Sequence, residues 1–355
     1  MRKLKIWAIA IAIATIALPS TLLADWRDDL GTFRVAIQTG QNVTEAVARA
    51  EPFRLALEEK LGMPVEFIPS RTHLGMVRFN NRAPAEYSVL SSIAYAAIAN
   101  MCQCIDPLVT ARTDDGSSGF QTVILSLPGG PRNLSGLAGR TLGVIGTDAV
   151  GGNTLALHEM AEQGLEEGDD GFTLRKFDDG EVAIEAFLNQ EIDALMGWTV
   201  SGGSGSAGML PGTARQLLTR VPEDPGHNVI WRSSEIPFRV HAVRANLPGE
   251  AKNALRDLLT GMFDNDPVAY DSIEPVYGGG FFAARPSQFE AISKMLDAAG
   301  ITDQRPTDII TPIIERDSAE EEVSQEDAEE ASQEEPTAGS TDTGQDDPAN
   351  IEDDS

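Results

Sequence analysis

Cysteine is scarce in this chain: 355 residues contain two, Cys102 and Cys104. Two thiols cannot build a disulfide scaffold, nor the four-ligand shell of a structural zinc site by themselves. Histidine is nearly as rare, with four residues scattered at positions 73, 158, 227 and 241, which leaves little for a His-built metal centre. Positive charge is short as well: 27 Lys+Arg stand against 55 Asp+Glu, a net of −28. A surface of that sign repels nucleic acid and anionic lipid, so neither is expected as a partner. Long apolar runs are missing too. The stretch from Ile6 to Leu18 falls short of the roughly 20 residues that a spanning helix needs, and no other stretch comes closer.

What is present is enough for a large core: 41% of residues are hydrophobic, and the length fits two domains of roughly 100–200 residues each. The charge is unevenly placed. From Asp317 to the end there are 16 acidic residues and no Lys or Arg, whereas residues 1–24 hold three basic residues and no acid. Residues 25–316 keep 24 basic and 39 acidic residues, a net of −15. Arg2, Lys3 and Lys5, the apolar run, and Ala24 read as a secretory signal peptide cleaved after Ala24, which predicts export and no stable membrane insertion thereafter. The stretch 317–355, rich in acid, Ser, Gln and Thr and without aromatics, reads as a disordered acidic tail.

Between these ends strands and helices alternate. Phe33–Ile37, Val65–Ile68 and Tyr87–Leu90 read as strands, separated by helical periodicity over 44–61 and 72–80 and followed by a helix over 93–101. A strand over Gly119–Leu127 interrupts the pattern. It restarts with strands at Thr141–Ile145, Thr173–Phe177 and Ala194–Trp198, and helices at 153–163 and 181–188. A strand at 238–244 and helices at 248–263 and 286–299 complete it. Such alternation predicts an α/β fold with parallel sheets. Interrupted and restarted, it predicts two lobes with a ligand cleft between them: lobe 1 over 25–122, lobe 2 over 123–244, and a return to lobe 1 over 245–316. The hinge is expected at Phe120–Leu127 and Arg244–Pro248.

Four segments carry a resemblance. Leu61-Gly62-Met63-Pro64-Val65-Glu66-Phe67, Asn133-Leu134-Ser135-Gly136-Leu137-Ala138-Gly139-Arg140, Asn189-Gln190-Glu191-Ile192-Asp193-Ala194 and Arg232-Ser233-Ser234-Glu235-Ile236-Pro237 occur in this order, the last followed by Val240-His241-Ala242-Val243-Arg244 and Leu247-Pro248. Together they resemble the phosphate/phosphite/phosphonate-binding proteins of ABC transporters, from about Phe33 to Gly300. The resemblance implies a type 2 periplasmic-binding-protein fold, a location in the periplasm, and a small oxyanion held by lobe closure and passed to a transporter permease. It implies a monomer and no enzymatic activity. A sensor that presents its closed form to a membrane kinase is the alternative use of the same fold. The family's hydroxyl-rich S-T-S-G loop is matched here by Val150-Gly151-Gly152-Asn153, and its G-x-H turn by Asp178-Asp179-Gly180-Glu181.

In open parallel sheets ligands sit at the carboxyl ends of strands, near helix N-termini. That rule nominates Gln38, Thr39, Ser91, Ser92 and Tyr95 on lobe 1, and Thr147, Gly151, Gly152, Asn153, Thr154 and Trp198 on lobe 2. Ser92 is equally placed to cap its helix, Tyr95 to pack in the core, and Trp198 to stack on a solute or to wall the domain. Arg71 and His73 could add positive charge, although solvated or capping roles fit them as well. No cofactor, metal or catalytic residue is expected. The glycine-rich stretch Ser201–Gly208 lacks the Lys-Ser/Thr of a P-loop, and Cys102, His73 and His158 show no nucleophile–base spacing. Cys102 and Cys104 fit a small disulfide and two buried thiols equally well.

Overall fold

The computed structural model describes residues 25–82, 85–145, 150–201, 213, 217 and 227–298. The proposed signal peptide and acidic tail, and Thr147, lie outside these residues. A short helix α1 (Trp26–Leu30) leads into β1 (Phe33–Gln38), α2 (Val43–Arg49), α3 (Glu51–Leu61), β2 (Val65–Ser70), α4 (His73–Arg82), β3 (Tyr87–Leu90), α5 (Ser92–Cys102) and β4 (Ile105–Ala111). The second group is β5 (Gly119–Ser126), β6 (Thr141–Ile145), α6 (Val150–Glu162), β7 (Thr173–Phe177), α7 (Gly180–Leu188), β8 (Ala194–Ser201), β9 (Asn228–Arg232) and β10 (Ile236–Pro237). The chain ends its described part with β11 (Val240–Arg244), α8 (Gly249–Asn265), α9 (Pro267–Ile273), β12 (Phe281–Ala283) and α10 (Glu290–Ala298).

These strands form two sheets. The first has the order β12-β4-β11-β3-β1-β2 and the second β10-β5-β8-β6-β7, with β9 also paired to β5. β1 runs parallel to β2 and β3, and β6 runs parallel to β7 and β8, as helical crossovers require. Both faces of each sheet are covered. Phe33, Phe53, Leu57, Leu255 and Tyr270 pack on one face of the first sheet, and Ala36, Ile98, Val240 and Phe289 on the other. The second sheet is covered by Ile184 and Phe187 of α7 on one side and by Ala156 and Met160 of α6 on the other. A central strand covered on both faces is buried along its length, as Val240–Val243 is, His241 included.

That burial moves the expected boundaries. β11 pairs antiparallel with β3 and β4, so 240–244 belongs to the first sheet rather than to lobe 2. β5 joins the second sheet from Gly119 onward, where Gly119 faces Ser201 and Pro237. The chain therefore passes between sheets at Arg112–Ser118 and again at Phe238–Arg239. The two passages are bonded side by side, with Phe238 N–H donating to the Ser118 carbonyl (3.1 Å) and Ala111 N–H to the Arg239 carbonyl (3.3 Å).

Two further differences have local causes. The helix expected over 44–61 is two helices that share Ala50 as C-cap and N-cap, with Pro52 in the first turn of the second, a position where its missing N–H costs nothing. Cys102 and Cys104 form a disulfide across the end of α5, with Cα atoms 5.0 Å apart, so neither is a free nucleophile.

Candidate functional site

β1 and β3 lie side by side and point their carboxyl ends the same way. At those ends is a cavity of roughly 60 Å³, floored by Ile37, Gln38, Thr39 and Gly40 of the first strand and by Val89, Leu90 and Ser91 of the third. The end of α2 at Arg49 and its cap residue Ala50 form one wall, and Ser272, Ile273, Pro275 and Val276 form another. Arg239, in the second passage between the sheets, completes the lining. That volume holds a few water-sized positions, the scale of a small polar headgroup.

Gln38, Thr39 and Ser91 are thus brought together as the strand-end rule predicts. Thr39 is fixed by its backbone N–H, which donates to the Ser70 carbonyl at 2.8 Å, and by its hydroxyl, which donates to the same oxygen at 3.2 Å. Ser91 caps α5: its Oγ accepts from the Ala94 N–H at 3.2 Å. The capping role considered for Ser92 therefore belongs to its neighbour. Ser92 is buried and donates its hydroxyl to the carbonyls of Pro237 (2.5 Å) and Phe238 (3.1 Å), which ties α5 to the inter-sheet passage. Tyr95 is a core residue: it is buried, packs on Phe289 with ring centroids 4.5 Å apart, and burial raises its hydroxyl pKa. Neither Ser92 nor Tyr95 lines the cavity.

The lobe 2 candidates stand on other elements. Gly151 and Gly152 occupy the first turn of α6, and Asn153 anchors that turn by donating from Nδ2 to the Ile145 carbonyl at the end of β6 (3.1 Å). Thr154 follows, half-buried. Trp198 is half-buried in β8 and meets Phe120 edge-on at 6.2 Å. None of these residues lines the cavity, so they share a lobe but not the pocket that Gln38, Thr39 and Ser91 form. Asp179, in the acidic turn, is the N-cap of α7, its Oδ1 accepting from the N–H groups of Glu181 (2.6 Å) and Val182 (3.1 Å).

Sequence reasoning missed Arg49, Arg239 and the 272–276 wall. Arg239 immediately precedes the Val240–Arg244 segment quoted above, yet an isolated arginine there carries no signal until β11 is placed beside β3. Among the described residues no cluster of three His, Cys, Asp or Glu side chains could hold a metal ion, and no helix is long and apolar enough to cross a membrane.

Two helix-covered mixed sheets are joined by two adjacent passages and carry a polar cavity at strand ends; the expected parallel pairing holds only for β2-β1-β3 and β7-β6-β8, and the remaining strands are antiparallel. Residues 35–289 match the family model for the ABC transporter phosphonate periplasmic substrate-binding protein, and the chain belongs to that family. Among solved structures it is similar to XAC2383 from Xanthomonas citri bound to ATP, at 14% identity, covering 76% of this chain and 97% of that one with a TM-score of 0.50. It is also similar to PhnD1 from Prochlorococcus marinus in complex with methylphosphonate, at 11% identity over 76% and 99% of the two chains with a TM-score of 0.45. A binding protein component of an ABC phosphonate transporter from Pseudomonas aeruginosa matches at 15% identity over 84% and 99%, with a TM-score of 0.42.

Proposed function

We propose that this protein is the solute-binding component of an ABC importer and captures a small phosphonate- or phosphate-like oxyanion by closing its two lobes. The observation that carries the ligand class is the cavity at the ends of β1 and β3. In a chain of net −28, it is lined by two guanidiniums, Arg49 and Arg239, beside the polar groups of Gln38, Thr39 and Ser91. Local donors, not net charge, decide what such a site binds. The two adjacent passages between the sheets supply a natural hinge. Closure then needs only a ligand that binds the closed state better than the open one. Delivery to a membrane permease follows from family membership, and action as a monomer completes the reading.

Titration calorimetry with inorganic phosphate, methylphosphonate and ethanesulfonate tests the ligand class, with small-angle scattering to follow compaction. At least one of the three should bind with a Kd of micromolar order or below and shrink the radius of gyration. Folded protein that binds none of them would overturn the oxyanion reading.

A further inference from the structure

The wall of the cavity formed by residues 272–276 has one member that turns away. Ser272, Ile273, Pro275 and Val276 line the space, whereas Glu274 between them is buried in the core, with 1% of its side chain exposed. It meets His241 there, itself wholly buried in β11, through a 2.9 Å contact between His241 Nε2 and Glu274 Oε1. The other ring nitrogen, Nδ1, is bonded to the hydroxyl of Tyr87 in β3. The tautomer consistent with both contacts has Tyr87 O–H donating to Nδ1 and Nε2–H donating to the carboxylate. Phe53, Tyr87 and Phe281 surround the imidazole, so the ring cannot turn away from these partners without disturbing packed aromatics.

The same carboxylate oxygen of Glu274 also faces the cavity cation. Arg239 Nε lies 3.7 Å from Glu274 Oε1, and its Nη1 donates to the Ile273 carbonyl at 3.5 Å. The Nη1 hydrogen bond and the charge of Glu274 together orient the guanidinium along the wall. An ionic group in an apolar core costs desolvation energy that a hydrophobic substitute would not incur, so a buried Tyr–His–Glu line is poorly explained by stability alone. Its far end is the arginine at the cavity.

We infer that Arg239 is the specificity-determining cation for the oxyanion, and that Glu274, His241 and Tyr87 are positioning residues that hold its guanidinium in a fixed plane. This rests on the oxyanion reading above. A planar fork discriminates between oxyanions by bidentate geometry, which a lysine ammonium, as a point charge, does not. Arg49, exposed at the end of α2, has no such support and contributes attraction without geometry.

Titration calorimetry of wild type, Arg239→Gln, Arg239→Lys, Arg49→Gln and Glu274→Gln tests this with methylphosphonate and inorganic phosphate as probes, and circular dichroism confirms folding of each. Arg239→Gln should weaken the better probe at least tenfold. Arg239→Lys should recover part of that affinity but lose most of the preference between the two probes. Arg49→Gln should weaken both probes by a similar, smaller factor. Glu274→Gln should reduce the preference more than a merely structural change would, because the fork loses its charged anchor. Wild type binding neither probe would overturn the oxyanion reading itself. Wild type binding one while Arg239→Gln binds it equally well would overturn this inference and leave that reading standing. If Glu274→Gln fails to fold, the Arg239 variants, whose side chain reaches solvent, still decide the role of the cation, and Tyr87→Phe, which keeps the ring, decides the role of the buried line: an unchanged preference in it would remove that line from the proposal.

Discussion

Around the first sheet two carboxylates and an imidazole are sealed from solvent: Glu86, Glu274 and His241. Around the second sheet, among the described residues, the buried polar side chains are hydroxyls, those of Thr122, Ser126, Ser201, Thr213 and Ser233. The difference extends to how charges are paired. In the first lobe Arg34 grips Glu86 with Nε at 2.9 Å and Nη2 at 2.8 Å, its own backbone N–H donates to the same carboxylate at 2.9 Å, and Arg244 adds a contact at 3.0 Å. These residues come from β1, β11 and the segment before β3, so the cluster locks strands together across the sheet. In the second lobe the comparable pair, Arg140 and Asp193, is more than a third exposed on both sides. The first lobe therefore adds buried charge to its apolar core while the second relies on apolar packing, and the cavity lies in the first. In the capture function proposed above, the first lobe presents the binding groups and the second closes over them.

The largest expected effect tests that contrast directly. Arg34→Met leaves a fully buried Glu86 carboxylate with one guanidinium fewer and should cost about 3 kcal/mol, the lower end of the range for breaking a buried pair. Arg140→Met, which removes an exposed partner, should cost less than about 1 kcal/mol. Urea unfolding of both variants measures this. Equal losses would erase the distinction between the lobes.

Much of the architecture was legible in the sequence, because β1, β3, β6 and β8 are short, mostly apolar runs, β2 and β7 are short strands bounded by turns, and the crossover helices between them show periodicity. β4 was not, since Pro107 lies within it and its apolar residues continue directly from α5. α9 was hidden behind the longer helix that precedes it. The site divides in the same way. Gln38, Thr39 and Ser91 follow from a local rule about strand ends. Arg49, Arg239 and the 272–276 wall come from three distant segments, and only the pairing of β11 with β3 brings them to the same cavity. The roles of Ser91 and Ser92 could not be divided from sequence, since either hydroxyl can cap and only the backbone angle shows that Ser91 stands at the N-cap.

The pH dependence should also separate the lobes. Burial depresses the His241 pKa below 6.5, and the opposing pull of Glu274 does not cancel that. Tyr87, Glu274 and Arg239 are the other titratable groups around it. Because the native pKa is the lower one, the unfolded chain binds the extra proton first. The stability contributed by neutral His241 is complete above about pH 6.5 and is lost as pH falls through the native value. Glu86 adds a loss at lower pH: desolvation raises its pKa, but the hydrogen bonds from Arg34 and the charges of Arg34 and Arg244 outweigh it and hold the carboxyl below 4.5. Thermal unfolding between pH 7.5 and 5 should show the first decline, and His241→Gln should flatten it while lowering Tm throughout. A variant with the slope of wild type would remove His241 as its source.

The smallest effect concerns the acidic turn at Asp178–Glu181, which in sequence stands where the family carries a G-x-H turn and which would repel an oxyanion if its carboxylates faced one. Asp179 does something local instead, accepting two backbone N–H groups at the start of α7, where a negative charge is also favoured by the helix dipole. Asp179→Ala should therefore cost about 1 kcal/mol, and Asp179→Asn should stay within roughly 0.5 kcal/mol of wild type, because asparagine caps nearly as well. Urea unfolding measures both, and methylphosphonate affinity should change less than twofold in either variant. A tenfold tighter affinity in Asp179→Asn would mean that the carboxylate opposes the ligand. The second lobe would then contribute electrostatics to the site, and the division of labour between the lobes would no longer hold.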